Sequence, residues 1–179
     1  MSLGSFLERR RVAISWVFAA TYLVFASPRP ASLAVGFVVM CLGAAFRTWA
    51  SGHIRKQEKL AVDGPYAHTR NPLYFGSFLI ACGALVMGMN GWVAALFAAV
   101  AVPLYWTVMA REEEFLAGRF GSEFLRYRAS VPRFFPRPVP YCRGGAAFSW
   151  ALVRRHREWH VWAGIAGVTL LLVGKYYLL

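Results

Sequence analysis

The chain has 179 residues and carries 20 Lys and Arg against 8 Asp and Glu, a formal net charge of +12. At 58% hydrophobic residues and a mean hydropathy of +0.45 it is too apolar for an ordinary soluble domain. Its charges are segregated from long apolar runs, which argues against a soluble nucleic-acid binder and for a polytopic membrane protein forming a single domain, residues 1–179.

Arg9-Arg10-Arg11 forms a cationic cap before the first apolar run, Val12–Ser27, which carries Trp16, Phe18, Tyr22 and Phe25. That run is short against about 20 residues per crossing, so its flanks must contribute. Ser27-Pro28-Arg29-Pro30 is a poor signal-cleavage site, and the run reads as a retained first span. Ala31–Phe46 is the second span, extending to about Ala50, with Gly36, Gly43, Ala44 and Ala45 permitting close helix packing. Arg47 then lies within or just past a span end, where an arginine snorkels, pairs or lines a polar cavity. Ser51–Val62 is a polar connection bearing His53, Arg55, Lys56, Glu58 and Lys59. His53 reads as a solvated or hydrogen-bonded residue at the membrane edge, or as a substrate contact. With no second His or Cys at metal spacing, no metal site is expected. Cys41, Cys82 and Cys142 show no pairing pattern and are expected to be free thiols.

Asp63–Gly76, DGPYAHTRNPLYFG, stands where this polar segment meets the next apolar run. Gly64-Pro65 sets a turn, Tyr66 and Tyr74 offer aromatic faces, and Pro72 suits the first turn of the following helix. Arg70 and Asn71 are thereby held at a helix mouth, where backbone N–H groups favour an anion. From spacing alone the stretch is equally a basic, Pro-rich loop anchoring a membrane helix. Pro72–Met89 is the third span. Met89-Asn90-Gly91 turns the chain back into a fourth, Gly91–Ala110, which Pro103 should kink. Arg111–Arg128 alternates apolar and charged faces as an amphipathic helix leaving the membrane for its surface, with a bend at Gly121. Val131–Pro140 has four prolines in ten residues and should be extended. Ala146–Val153 is too short to span. His160–Gly174, flanked by Trp159, Trp162, Tyr176 and Tyr177, is the fifth span.

This layout places 18 of the 20 Lys and Arg on one side: three at 9–11, five from Arg47 to Arg70 and ten from Arg111 to Arg157. Only Arg29 and Lys175 fall opposite. By the positive-inside rule the N-terminus is cytosolic and the C-terminus is not. The expected fold is all-α: about five transmembrane helices, a cytosolic amphipathic helix and a C-terminal cofactor site, in the inner or cell membrane if the source is bacterial.

The stretch Gly64–Gly76 resembles G-P-Y-x-x-x-R-[HN]-P-x-Y-x-G, a signature of the isoprenylcysteine carboxyl methyltransferases and their phospholipid methyltransferase relatives. Glu112–Pro136, EEEFLAGRFGSEFLRYRASVPRFFP, resembles the same family's second block, E-E-x-x-L-x-x-x-F-G-x-x-[YF]-x-x-Y-x-x-x-V-P-R. Together they bound a core of about 47–136. The resemblance implies a membrane enzyme using S-adenosylmethionine, with Arg70 and Glu113 catalytic. Gly64, Pro65, Tyr66, His68, Asn71, Pro72, Tyr74 and Glu112 would contact the cofactor. Arg47, His53 and Arg133, read from their positions at the membrane edge and after Val131-Pro132, are candidate substrate contacts. Asn71 stands where the family commonly has histidine, and Phe124 where it has tyrosine. The implied partners are membrane lipids and a lipophilic or prenylated substrate drawn from the bilayer, with no nucleic acid and an unspecified oligomeric state.

The residues themselves suit that chemistry. A site for S-adenosylmethionine wants aromatic faces, carboxylates for its diol or ammonium, and a cation for its carboxylate. No strand or glycine-rich fingerprint suggests the soluble doubly wound alternative. A carboxylate acceptor is already ionised at pH 7, so it needs alignment and a dry site, and an arginine supplies the alignment. An amine acceptor, as in phospholipid N-methylation, must lose a proton and would give a glutamate a larger part. Glu112–Glu114 also reads as a charged helix start, and Arg133 as a headgroup contact. A nicotinamide-dependent membrane isoprenoid or sterol reductase, and a non-catalytic module binding anionic lipids, are the readings from other classes.

Overall fold

The computed structural model describes residues 18–55, 59–142 and 147–178. The cationic cap, Trp16 and the first part of the expected first span lie outside the described residues, as do Lys56, Glu58 and Ala146. Helix α1 is described over residues 18–25. It is followed by α2 (Pro30–Ser51), a 3-10 turn (Gly64–Ala67), α3 (Pro72–Gly88), α4 (Gly91–Ser130), α5 (Trp150–Arg155) and α6 (Trp159–Leu178). Among the described residues three helices are long and apolar enough to cross a membrane: α2, α4 and α6. At 17 residues α3 is apolar but shorter.

Prolines begin α2 and α3, where the missing N–H leaves no bond unmade. Ser32 closes the first turn of α2 by accepting from the Arg29 N–H at 3.0 Å. The turn after α3 forms differently from the Asn-Gly expectation. Met89 takes the left-handed conformation, φ 48°, and Asn90 caps α4 by accepting from the Val93 N–H at 3.0 Å. Helix α4 runs unbroken past Ala110, where the sequence suggested a separate amphipathic helix. Arg and Glu are good helix formers and give no reason to stop. Only Gly121, at φ 51° and ψ −125°, leaves helical geometry. Pro103 keeps helical dihedral angles.

Helices α2 and α3 cross antiparallel on paired glycines, Gly36 against Gly83 and Gly43 against Gly76. A Cβ on Gly83 would lie 2.6 Å from Gly36 O, and one on Gly43 would lie 2.7 Å from Gly76 O. Such crossings let backbones approach where lipid offers no hydrophobic drive to pack. Gly43→Leu is expected to destabilise the protein by on the order of 1–3 kcal/mol through overpacking. Gly167→Leu on α6, where a Cβ meets nothing within 4 Å, should leave thermal unfolding in detergent unchanged.

Tyr22, Ala26, Met40, Ala44, Met87, Val93, Ile165 and Leu172 form the core between the helices. At one end Lys175 donates to the carbonyls of Leu23 and Val24, at 2.7 and 2.8 Å, and Ser27 N–H donates to Gly88 O at 2.8 Å. The C-terminal ends of α1, α3 and α6 therefore meet there. Both sequence motifs lie at the opposite end. Phe148 seats against Gly52 and the His53 ring, so the short apolar piece closes the end of α2.

Candidate active site

The extended segment after α4 runs beside the first motif and is stitched to it by backbone bonds. Arg70 N–H donates to Pro132 O at 2.9 Å, Arg137 N–H to His68 O at 3.0 Å and Tyr141 N–H to Ala67 O at 2.9 Å. The prolines at 132, 136, 138 and 140 keep this strap out of a helix, which leaves its carbonyls available. Thr69 Oγ1, fully buried, donates to Phe134 O at 2.9 Å. Asn71 donates its side-chain amide to Arg133 O at 3.0 Å, so the residue that departs from the family pattern holds the strap in register.

Beneath the strap, α4 turns at Gly121 and packs Phe124 and Tyr127 with Leu60 and Val131. Phe124 is wholly buried, which suits a ring without a hydroxyl. The Tyr127 hydroxyl donates to Tyr66 O at 2.7 Å. Tyr127→Phe should cost about 1 kcal/mol, the ordinary worth of a buried hydrogen bond, read as a lowered melting temperature.

These contacts bring the two motifs to one cluster. Glu113, only 4% exposed, receives Arg133 in a two-pronged bond, Nε to Oε1 at 3.0 Å and Nη2 to Oε2 at 2.8 Å. Arg70 Nη1 lies 3.1 Å from Glu113 Oε2. That pair is close but not aligned as a hydrogen bond, and Arg70 Nε also has no hydrogen-bond partner. Burial lowers the proton affinity of the Arg70 guanidinium while Glu113 works to raise it. The bond to Glu113 raises that of Arg133, whose guanidinium also stands 4.5 Å from the centre of the Trp106 ring. Two cations on one carboxylate leave a surplus positive charge.

Arg70, Asn71, Pro72, Tyr74, Glu112, Glu113, Tyr66 and Arg47 line one cavity of about 450 Å³. Ser77, Tyr105, Phe120, Phe124 and Tyr127 also line it, with Arg55 and Lys59 from the connection after α2. The Tyr66 hydroxyl is buried without a partner. Burial, with Glu112 adding to it, pushes its pKa well above the ordinary phenol range, so it stays protonated. Gly64, His53 and His68 lie elsewhere, in a shallower recess of about 360 Å³ with Asp63 and Cys142. There His68 Nδ1 meets Arg137 O at 2.7 Å and His53 Nδ1 meets Trp49 O at 2.9 Å. Pro65 is buried within the turn. Arg133 sits at the cluster through Glu113 and not among the cavity-lining residues. Arg47 is bonded to Glu158 and Ser77. Sequence reasoning missed Glu158, although it is the sole acidic residue after Glu123 and stands at the entry to an apolar helix. Among the described residues no group of three or more His, Cys, Asp or Glu could hold a metal ion. The cavity is lined by residues between 47 and 127.

The sequence model described as phospholipid methyltransferase matches residues 31–123. The chain is 32% identical over 149 residues to the cobalt-zinc-cadmium resistance protein CzcN of Cupriavidus metallidurans, covering 76% of this chain and 68% of that one. It is 31% identical over 147 residues to the nickel-cobalt-cadmium resistance protein NccN of Alcaligenes xylosoxydans xylosoxydans, covering 75% and 68%. Against the protein-S-isoprenylcysteine O-methyltransferase of Schizosaccharomyces pombe it is 32% identical over 115 residues, 58% of this chain and 48% of that enzyme. No solved structure matches the chain. Helices of membrane-spanning length, the two motifs joined at one buried cluster and a family match over more than half the chain agree: this protein belongs to the phospholipid methyltransferase family and is a membrane methyltransferase.

Proposed function

We propose that the protein transfers a methyl group from S-adenosylmethionine to the carboxylate of a lipophilic, prenylcysteine-like or other isoprenoid molecule drawn from the bilayer. The observation that carries this reading is Arg70, a buried guanidinium on the cavity with Nε unpartnered beside a cluster holding one surplus positive charge. A desolvated cation with unused donors gains most from an incoming carboxylate, which repays its burial. The isoprenylcysteine O-methyltransferase activity for which the S. pombe relative is named points the same way.

The cavity's residues fit the methyl donor. The unpartnered Tyr66 hydroxyl, the Tyr74 ring, the Glu112 carboxylate and the helix mouth at Asn71-Pro72 offer stacking, acceptor and donor groups on one wall. S-adenosylmethionine would supply the electrophilic methyl group on its sulfonium. Glu113 holds Arg133 and faces Arg70, Arg70 orients the acceptor carboxylate, and the buried walls keep water from competing. The five-span layout, with the N-terminus and the cavity mouth on the cytosolic side, fits this reading, because the donor is water-soluble and the acceptor is not.

Calorimetric titration of the detergent-solubilised protein with S-adenosylmethionine and S-adenosylhomocysteine tests the cofactor. The acceptor is tested with methyl-labelled donor, an S-farnesylated N-acetylcysteine and phosphatidylethanolamine vesicles. Label in the farnesylated compound, released by mild alkali, marks a carboxyl ester and supports the proposal. Alkali-stable label in the lipid amine would replace it with N-methylation.

A further inference from the structure

Glu158 lies beyond the residues matched to the family, in the turn that enters α6, and its side chain is 5% exposed. Its carboxylate receives Nε and Nη2 of Arg47 at 3.1 and 2.9 Å, while Arg47 Nη1 donates to the Ser77 hydroxyl. Arg47 is thus fixed by α3 on one side and by the α6 entry on the other, and both Arg47 and Ser77 line the cavity. The turn is held against α2 on either side of the pair. His156 Nδ1 lies 3.1 Å from Ser51 O, and Trp162 Nε1 donates to Thr48 Oγ1 at 3.1 Å. Arg157, at φ 55°, takes a conformation that a non-glycine residue adopts only when its surroundings hold it there.

A buried ion pair is a poor device for stability alone, because an apolar pair of similar volume joins two helices as well. An apolar pair cannot present guanidinium N–H groups to a cavity wall. The same cavity carries the Tyr66 hydroxyl, buried and without a partner. Two N–H groups of Arg47 remain beyond the three bonds already made. Glu158 also cancels the Arg47 charge, so this part of the wall differs from the net-cationic cluster around Glu113. It suits a neutral group that both donates and accepts.

Resting on the methyltransferase reading above, we propose that Glu158 is a positioning residue: it holds Arg47 so that Arg47 and Tyr66 together receive a neutral hydroxyl of the bound methyl donor. The C-terminal helix thereby completes the cofactor site that the family-matched region begins.

The test is calorimetric binding of S-adenosylhomocysteine and of its analogue lacking both ribose hydroxyls, with thermal unfolding measured in parallel. The wild type should bind the parent at least tenfold more tightly than the analogue, the effect of one hydrogen bond to a charged partner. Glu158→Gln should weaken the parent by roughly that factor and leave the analogue unchanged, which a purely structural role would not do. Should Glu158→Gln fail to fold, Arg47→Met/Glu158→Met keeps the junction apolar; it should unfold near the wild-type temperature and still lose the discrimination. Either variant binding both ligands like the wild type, or losing both by one factor, overturns the proposal while the methyltransferase reading stands. A folded wild type that binds neither ligand overturns the cofactor reading and this inference with it.

Discussion

Glu113→Ala is expected to cost the protein both stability and activity. The carboxylate is the single anion between Arg70 and Arg133 in this cluster, and their side chains are only 10% and 21% exposed. Without it two half-buried cations face each other unpaired, a loss discounted by solvent at Arg133 to about 2–3 kcal/mol, below the roughly 3–5 kcal/mol of a fully buried pair. The strap would loosen as well, since Arg133 is one of its anchors. Methyl transfer should fall by about 10³-fold or more, because orientation and electrostatic support are lost together. Thermal unfolding and initial rates in the same detergent check both parts. Glu113→Gln keeps the volume and one acceptor oxygen and should fall between. A Glu113→Ala protein with wild-type stability and rate would remove the cluster from the site.

Arg70→Ala should separate what Glu113→Ala confounds. Glu113 retains its two-pronged bond from Arg133, and the change removes a guanidinium whose Nε is buried without a partner. Stability should therefore stay within about 1 kcal/mol of wild type, as the desolvation relieved offsets the attraction lost. Activity should nonetheless fall by about 10²–10³-fold in kcat/KM, the scale for removing one preorganised donor. Arg70→Lys should recover little of it, because a point charge on a flexible stem cannot bind a carboxylate with two parallel N–H bonds. A large loss of stability with activity per folded molecule unchanged would make Arg70 a structural residue.

Much of the fold was legible from local chemistry. Runs of apolar residues at membrane length, the proline at position 72 and the glycines of α2 marked helices and their close approach, because each acts within a few residues of itself. The boundary expected at Ala110 was not found, since charge marks where a helix leaves lipid and not where its hydrogen bonds end. The left-handed position at the α3–α4 turn fell on Met89, where a residue-by-residue reading favours glycine. Asn71 could be noted as a departure from the family pattern, but its bond to Arg133 O needed the strap beside it.

By itself the sequence determined the class of protein, the family and the residue types at the cluster: Arg70 at a helix mouth, Glu113 on a charged helix, Arg133 after Val-Pro. Those are properties of composition and of short motifs, where the spacing of neighbours dictates the geometry. Only the tertiary structure decided which groups share a wall. It placed His53 and His68 in a separate recess, joined Arg70 and Arg133 on one carboxylate, and brought Glu158 to Arg47 across 111 positions of chain. Such pairings are chosen by the cost of leaving a charge buried alone, and that cost exists only after the helices have packed.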